Sequence, residues 1–113
     1  MRIVLFRNGE MGKLAALPGE DPLVELSDLL GGEINFTPTL YRRMQVVHRR
    51  YGEKLKLPCR YEATVRKTFG LGDDTVKIFG DCAVVVRLEN GAIRDAKKDD
   101  CLAANLVIRG VET

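Results

Sequence analysis

Tryptophan is absent from the 113 residues, histidine occurs once, and aromatic residues make up 6% of the chain. A core of this composition has to be built from aliphatic side chains, while hydrophobic and charged fractions of 45% and 30% exclude a disordered tail or a fibrous repeat. Cysteine is scarce and odd in number: Cys59, Cys82 and Cys101 are widely spaced, with no Cys-x-x-Cys pair. Such a set fits free, reduced thiols in a cytoplasmic protein better than a disulfide framework, and with one histidine it offers no zinc-ligand spacing. Long hydrophobic runs are also missing. Met1–Arg7 holds four apolar residues between two arginines, too few for a signal-peptide core or a membrane span, so neither export nor anchoring is expected. A chain of this length fits one domain.

The charge is unevenly spread. Residues 1–39 carry three Lys/Arg against six Asp/Glu (−3), residues 40–68 carry nine against two (+7), and residues 69–113 carry six against eight (−2). The sum is the formal net charge of +2, with half of the basic residues in a quarter of the length. A concentrated positive block attracts polyanions or acidic protein surfaces.

Hydrophobic periodicity and turn signals outline the elements. Ile3–Phe6, the reversal at Asn8-Gly9 and the resumption at Lys13–Leu17 predict a hairpin. Asp21 stands as an N-cap before Pro22, the leucines at 23, 26, 29 and 30 recur at helical spacing, and Gly31-Gly32 supply a stop, which predicts a helix over 22–30. Glu33–Phe36 alternates as a strand. Residues 61–68 alternate weakly as another, and residues 69–74 read as a turn. Cys82–Leu88 is the plainest strand, with Asn90-Gly91 predicting a type I′ return through Ala92–Arg94. Residues 96–109 fit either a helix, with acids early and Gly110 beyond, or a buried strand at Leu106–Ile108.

Residues 38–51 also fit two descriptions. Thr37-Pro38 could open a helix ending at Gly52, with Leu40, Met44, Val47 and Tyr51 on one stripe. Alternatively, Met44–Arg49 and Lys54–Pro58 pair as a hairpin through residues 50–53. That register sets Arg49 beside Lys54 and His48 beside Leu55, with like charges whose repulsion a bound anion would relieve.

Three stretches, Leu29–Ile34, Val46–Pro58 and Ile78–Val86, resemble a small uncharacterised family from bacterial phages, plasmids and conjugative elements. The shared features are a helix end with Gly-Gly and a strand, an apolar strand with a Gly-containing turn and Leu-Pro exit, and a Gly followed by an apolar strand. The chain departs from that pattern at Arg49-Arg50 and at Cys59-Arg60. The resemblance implies a mobile-element setting and selects the 44–58 hairpin. The resulting expectation is a single α+β domain, mainly an antiparallel sheet of hairpins, with one helix near 22–30 and, in the helical one of the two readings of 96–109, a second there.

The candidate partner-binding residues lie in the basic block: Arg42, Arg43, Arg49, Arg50, Tyr51, Lys54, Lys56, Arg60 and Tyr61, flanked by Tyr41, Arg66 and Lys67. Guanidinium and ammonium groups neutralise phosphates and tyrosines stack on bases, a combination suited to single-stranded or irregular nucleic acid. No catalytic residue, metal ligand or cofactor is expected. His48 and Cys59 lack an orienting third group, and Gly70-Leu71-Gly72 lacks the Gly-Lys-Ser/Thr ending of a phosphate loop. The adjacent pairs Asp73-Asp74 and Asp99-Asp100 are poorly spaced to share an ion. The first expectation is therefore a non-catalytic nucleic-acid-binding protein. The second is a small inhibitor or adaptor acting in counter-defence, docking its basic face or a strand edge on a host protein such as a nuclease; such an edge would also pair two copies.

Overall fold

The computed structural model describes residues 1–41, 43–66 and 72–111. The elements, in order, are β1 (Arg2–Phe6), β2 (Lys13–Ala16), α1 (Pro22–Leu30), β3 (Ile34–Pro38), β4 (Met44–Arg49) and β5 (Cys59–Arg66). They continue with β6 (Asp73–Phe79), β7 (Cys82–Arg87), β8 (Ile93–Arg94), α2 (Lys98–Val107) and β9 (Ile108–Gly110). All pairing is antiparallel, in an α+β arrangement.

One sheet runs β2-β1-β7-β4-β3, with β8 beside the C-terminal half of β7, and the other runs β6-β5-β9. β7 forms the middle of the larger sheet and is buried from Cys82 to Val86. Side chains alternate across a strand. Cys82, Val84 and Val86, with Val4, Phe6, Met44 and Val46, therefore face the small sheet and α2, where Tyr61, Ala63, Ile78, Ala104, Val107 and Ile108 complete one core. Ala83 and Val85, with Ile3 and Val47, face α1, where Leu26 and Leu30 complete a second core.

α1 starts as the sequence predicts. The Asp21 carboxylate accepts from the backbone N–H groups of Leu23 and Val24, and Gly31 ends the helix at φ +93°. The hairpin of β1 and β2 turns through Asn8 and Gly9, both at positive φ, with Glu10 N–H donating to Arg7 O at 2.9 Å. This is the type I′ geometry expected at Asn90-Gly91. At the latter, Gly91 alone has positive φ and donates to Leu88 O at 2.9 Å, so the β7–β8 return is a type I turn followed by a left-handed glycine. Residues 96–109 prove to be both alternatives in succession. α2 passes straight into β9 at Ile108, whose φ of −115° is already extended, with no glycine between. At its start the Asp100 carboxylate takes the Lys97 N–H and a two-pronged bond from Arg94; that guanidinium holds the Asp100 carboxyl below its ordinary range.

The 44–58 hairpin is corrected. β4 forms as expected, but its neighbours are β3 and β7, and residues 54–58 are a loop. Burial of Met44, Val46 and Val47 requires β4 to lie inside the sheet, and β3, which ends at Pro38, pairs with it there. Lys56 at φ +60° could not continue a strand. Of the turn expected at 69–74, Asp73 and Asp74 open β6, and residues 69–71 lie outside the described residues.

Tyr61 shows how the two sheets lock together. It is fully buried, its ring meets Phe6 edge-on at 5.5 Å between centroids, and its hydroxyl donates to Glu10 O at 2.8 Å. Burial, with Cys82 and Asp81 nearby, pushes its phenol up to about 12. Tyr61→Phe should cost about 1 kcal/mol through the lost hydrogen bond, and Tyr61→Ala about 3–5 kcal/mol through the cavity, read from urea unfolding midpoints. Equal losses for the two variants would contradict this packing.

Candidate functional site

Phe6 pairs with Cys82, and Cys82 pairs with His48, so the residues following β1, preceding β7 and ending β4 collect at one end of the large sheet. The C-terminus of α1 reaches the same end through Arg49. Its Nη1 donates to Gly31 O at 2.6 Å, a favourable position for a cation at a helix C-terminus. Gly31 and Gly32 make room for it. A Cβ at Gly31 would sit 2.9 Å from Nη1, and one at Gly32 would sit 3.0 Å from Cζ. Arg49 therefore ties α1 to the sheet as well as bordering the surface.

Residues 50–58 form the loop between β4 and β5. Leu55 N–H donates to Tyr51 O, Lys56 N–H to Glu53 O and Leu57 N–H to Gly52 O, which winds the segment into a compact turn. Gly52 presses against Phe79, where an added Cβ would lie 3.0 Å from Phe79 Cβ. Tyr51 is thereby held outward, 53% exposed and at φ +60°. Two cations flank its ring: Arg50 Cζ lies 5.0 Å and Lys54 Nζ 5.4 Å from the centroid. The pairing of Arg49 with Lys54 expected from the hairpin does not form; Lys54 instead shares the Tyr51 ring with Arg50.

Beside this loop is a cleft of about 250 Å3. Leu29, Leu30, Leu57 and Pro58 supply its apolar wall, and Arg49, Arg60, Asn8 and Asp81 its polar groups. Arg60 reaches it because the β5–β6 register slips between Cys59 and Tyr61, leaving Arg60 as the extra residue of a bulge. A bulge frees its residue from strict alternation and re-aims the side chain. Asp81 Oδ1 accepts the Asn8 N–H at 2.9 Å, and the carboxylate forms no ion pair with Arg49 or Arg60.

The other members of the basic block lie elsewhere. Arg43 precedes β4, a strand of ~20 Å at its usual rise, and is paired with Glu89. Arg66 is exposed at the far end of β5, Tyr41 is partly exposed in the β3–β4 turn, and Arg42 and Lys67 lie outside the described residues. Tyr61, expected to contact a partner, is wholly within the core. The structure thus gathers Arg49, Arg50, Tyr51, Lys54, Lys56 and Arg60 at one end and separates Arg43 and Tyr61 from them. Asn8 and Asp81 were missed by the sequence reading, because nothing local signals that a turn residue and a lone aspartate 73 positions apart share a hydrogen bond.

His48 is half-buried. Thr37 Oγ1 lies 2.9 Å from Nε2, and Nδ1 lies 3.3 Å from Arg49 O, which fits a neutral ring donating to the carbonyl and accepting from the hydroxyl. Its expected neighbour, Leu55, is instead on the exposed loop. Cys59 Sγ lies 3.7 Å from Tyr61 O, and burial pushes the Cys82 thiol up. Among the described residues no group of three His, Cys, Asp or Glu side chains is placed to hold a metal ion, and no helix is long and apolar enough to cross a membrane.

Fold and site together describe an α+β protein with a cationic, tyrosine-bearing loop beside a mixed-charge cleft. No family model, no curated protein and no solved structure matches the chain.

The histidine gives a pH prediction. Burial holds the His48 pKa below 6.5, outweighing the opposing effect of the Arg49 carbonyl. As pH falls below about 6.5 the unfolded chain takes up a proton that the folded one resists, so stability is full above that pH and declines below it. Thermal midpoints between pH 5 and 7.5 should therefore fall on acidification, and His48→Gln should flatten that slope; an unchanged slope in the variant would assign it to another group.

Proposed function

We propose that the protein is a non-catalytic binding module that engages nucleic acid through residues 50–58 and the adjoining cleft, in the mobile-element setting its sequence resembles. The observation that carries this reading is the Tyr51 ring, exposed and flanked by Arg50 and Lys54. Both cations lie over the ring in the free protein, and when a strand binds they can move to its phosphates and leave the tyrosine to stack on a base. A bulky residue in the left-handed region is a strained arrangement, of a kind that concentrates at functional sites. Within residues 49–60 five Lys/Arg face one Glu, so the loop is strongly positive locally.

A protein partner is the second reading, favoured by Leu102 and Leu106. They lie one turn apart on α2 and are 61% and 71% exposed, an apolar stripe that the fold leaves uncovered. Docking there would leave the Tyr51 loop free.

Fluorescence anisotropy with labelled single- and double-stranded DNA and RNA tests the first reading. Affinity for single strands should fall steeply with salt. Arg50→Ala and Lys54→Ala should each flatten the logarithmic salt slope by about one, and Tyr51→Ala should cost about 1–3 kcal/mol. Arg49 is left intact because it also anchors α1. Absence of binding to every such probe at low salt would overturn the reading.

A further inference from the structure

We propose that the cleft beside the loop is a base-reading subsite that accepts guanine from a single strand, an inference that rests on the nucleic-acid reading above. The cleft combines chemistries that exclude simpler ligands. Asp81 disfavours a phosphate or any other bare anion, and Arg49 and Arg60 disfavour an amine. These opposite charges do not neutralise one another, since none of the three ion pairs among the described residues joins them. Asp81 is held in place by the Asn8 N–H, and Arg60, whose guanidinium has no hydrogen-bond partner among the described residues, is turned toward the cleft by its bulge. Acidic and basic groups kept apart in this way suit a neutral ligand with donors on one edge and acceptors on another.

Guanine meets that requirement. An ionised carboxylate only accepts, and it engages two adjacent donors best; guanine offers N1–H and N2–H on one edge. A guanidinium only donates, in a fork matched to two adjacent acceptors; guanine offers O6 and N7. Adenine has one donor group and cytosine one, while thymine and uracil present a single N–H between two carbonyls. The leucines and Pro58 give the ring an apolar wall, and Gly80 leaves the space open, since a Cβ there would sit 3.3 Å from Leu57 Cδ1. The cleft shares Leu57 and Pro58 with the loop that carries Tyr51, so one strand can reach both.

The experiment compares fluorescently labelled 12-residue oligothymidylate with the same strand carrying one central dG, dA, dC or deoxyinosine, by anisotropy at fixed low salt. One dG should tighten binding about tenfold or more, as expected for one well-made bidentate pair, and dA and dC should not. Deoxyinosine, which lacks the N2 amino group, should lose most of the gain. Asp81→Asn, which can still accept from Asn8 N–H, and Arg60→Gln should each bring the dG strand down to the affinity that the same variant shows for oligothymidylate. Their folding is checked by thermal melting. Oligothymidylate binding without a dG preference would overturn the guanine subsite alone, and no binding to any strand would overturn the parent reading as well. A dG preference that survives Asp81→Asn would place base reading outside this cleft.

Discussion

Burial of β7 on both faces is the constraint on which the rest of the structure depends. An interior strand must satisfy its backbone polar groups by pairing on both sides, because water cannot reach them. β1 and β8 do so along one side and β4 along the other. Its alternating side chains then require two separate apolar covers, α1 over Ala83 and Val85, and the small sheet with α2 over Cys82, Val84 and Val86. The long aliphatic run reads as a fully buried strand for this reason, and the scarcity of aromatics follows from it. Valine, alanine and cysteine fill layers narrow enough for cover on both sides, and of the two large rings inserted deeply, Phe6 and Tyr61, the one with a polar atom has its hydroxyl satisfied by Glu10.

The same pairing builds the candidate site. With Phe6 and His48 both opposite Cys82, the next residues outward on three strands are Arg7-Asn8, Arg49 and Asp81, brought together by register alone. None needs a long loop to hold it. Arg49 is fixed by the carbonyls at the end of α1 and Asp81 by the Asn8 amide, so the cleft's charges stand on ordered elements. The 50–58 loop has a firm seat in Gly52 against Phe79, and Gly80 N–H donates to Pro58 O at 2.8 Å.

What was legible in the sequence was local. Asp21-Pro22 with Gly31-Gly32 bounded α1 to the residue, and apolar runs marked β1 and β7, while β4 fitted either a helix or a strand until the family resemblance selected the strand. The 44–58 hairpin failed because pairing is not a local property. Val46 and Val47 have apolar partners available at 54–58, but better ones lie in β7, some 36 residues on, and burial decides between them. Residues 96–109 were ambiguous because a helix that passes directly into a strand leaves no glycine or proline to mark the junction. The basic block misled in a different way. Clustering in sequence is not clustering in space, because β4 and β5 run the length of the sheets and carry Arg43 and Arg66 away from Arg50 and Lys54. The bulge at Arg60 and the partnership of Asn8 with Asp81 had no sequence signal, since each depends on register.

In the proposed function the loop and the cleft would divide two tasks that a single basic patch would confuse. Phosphate contacts attract any polyanion and carry no sequence information, whereas contacts to base edges discriminate. Arg50, Lys54 and Lys56 are exposed, so water and salt screen them and each would contribute modestly and generally. Arg49, Arg60 and Asp81 are half-buried beside leucines, where water is partly excluded and a mismatched donor or acceptor costs more. A carboxylate within a cationic end is therefore a cost to indiscriminate polyanion binding. Its place beside Arg49 and Arg60 fits the proposed site, which would choose what it holds.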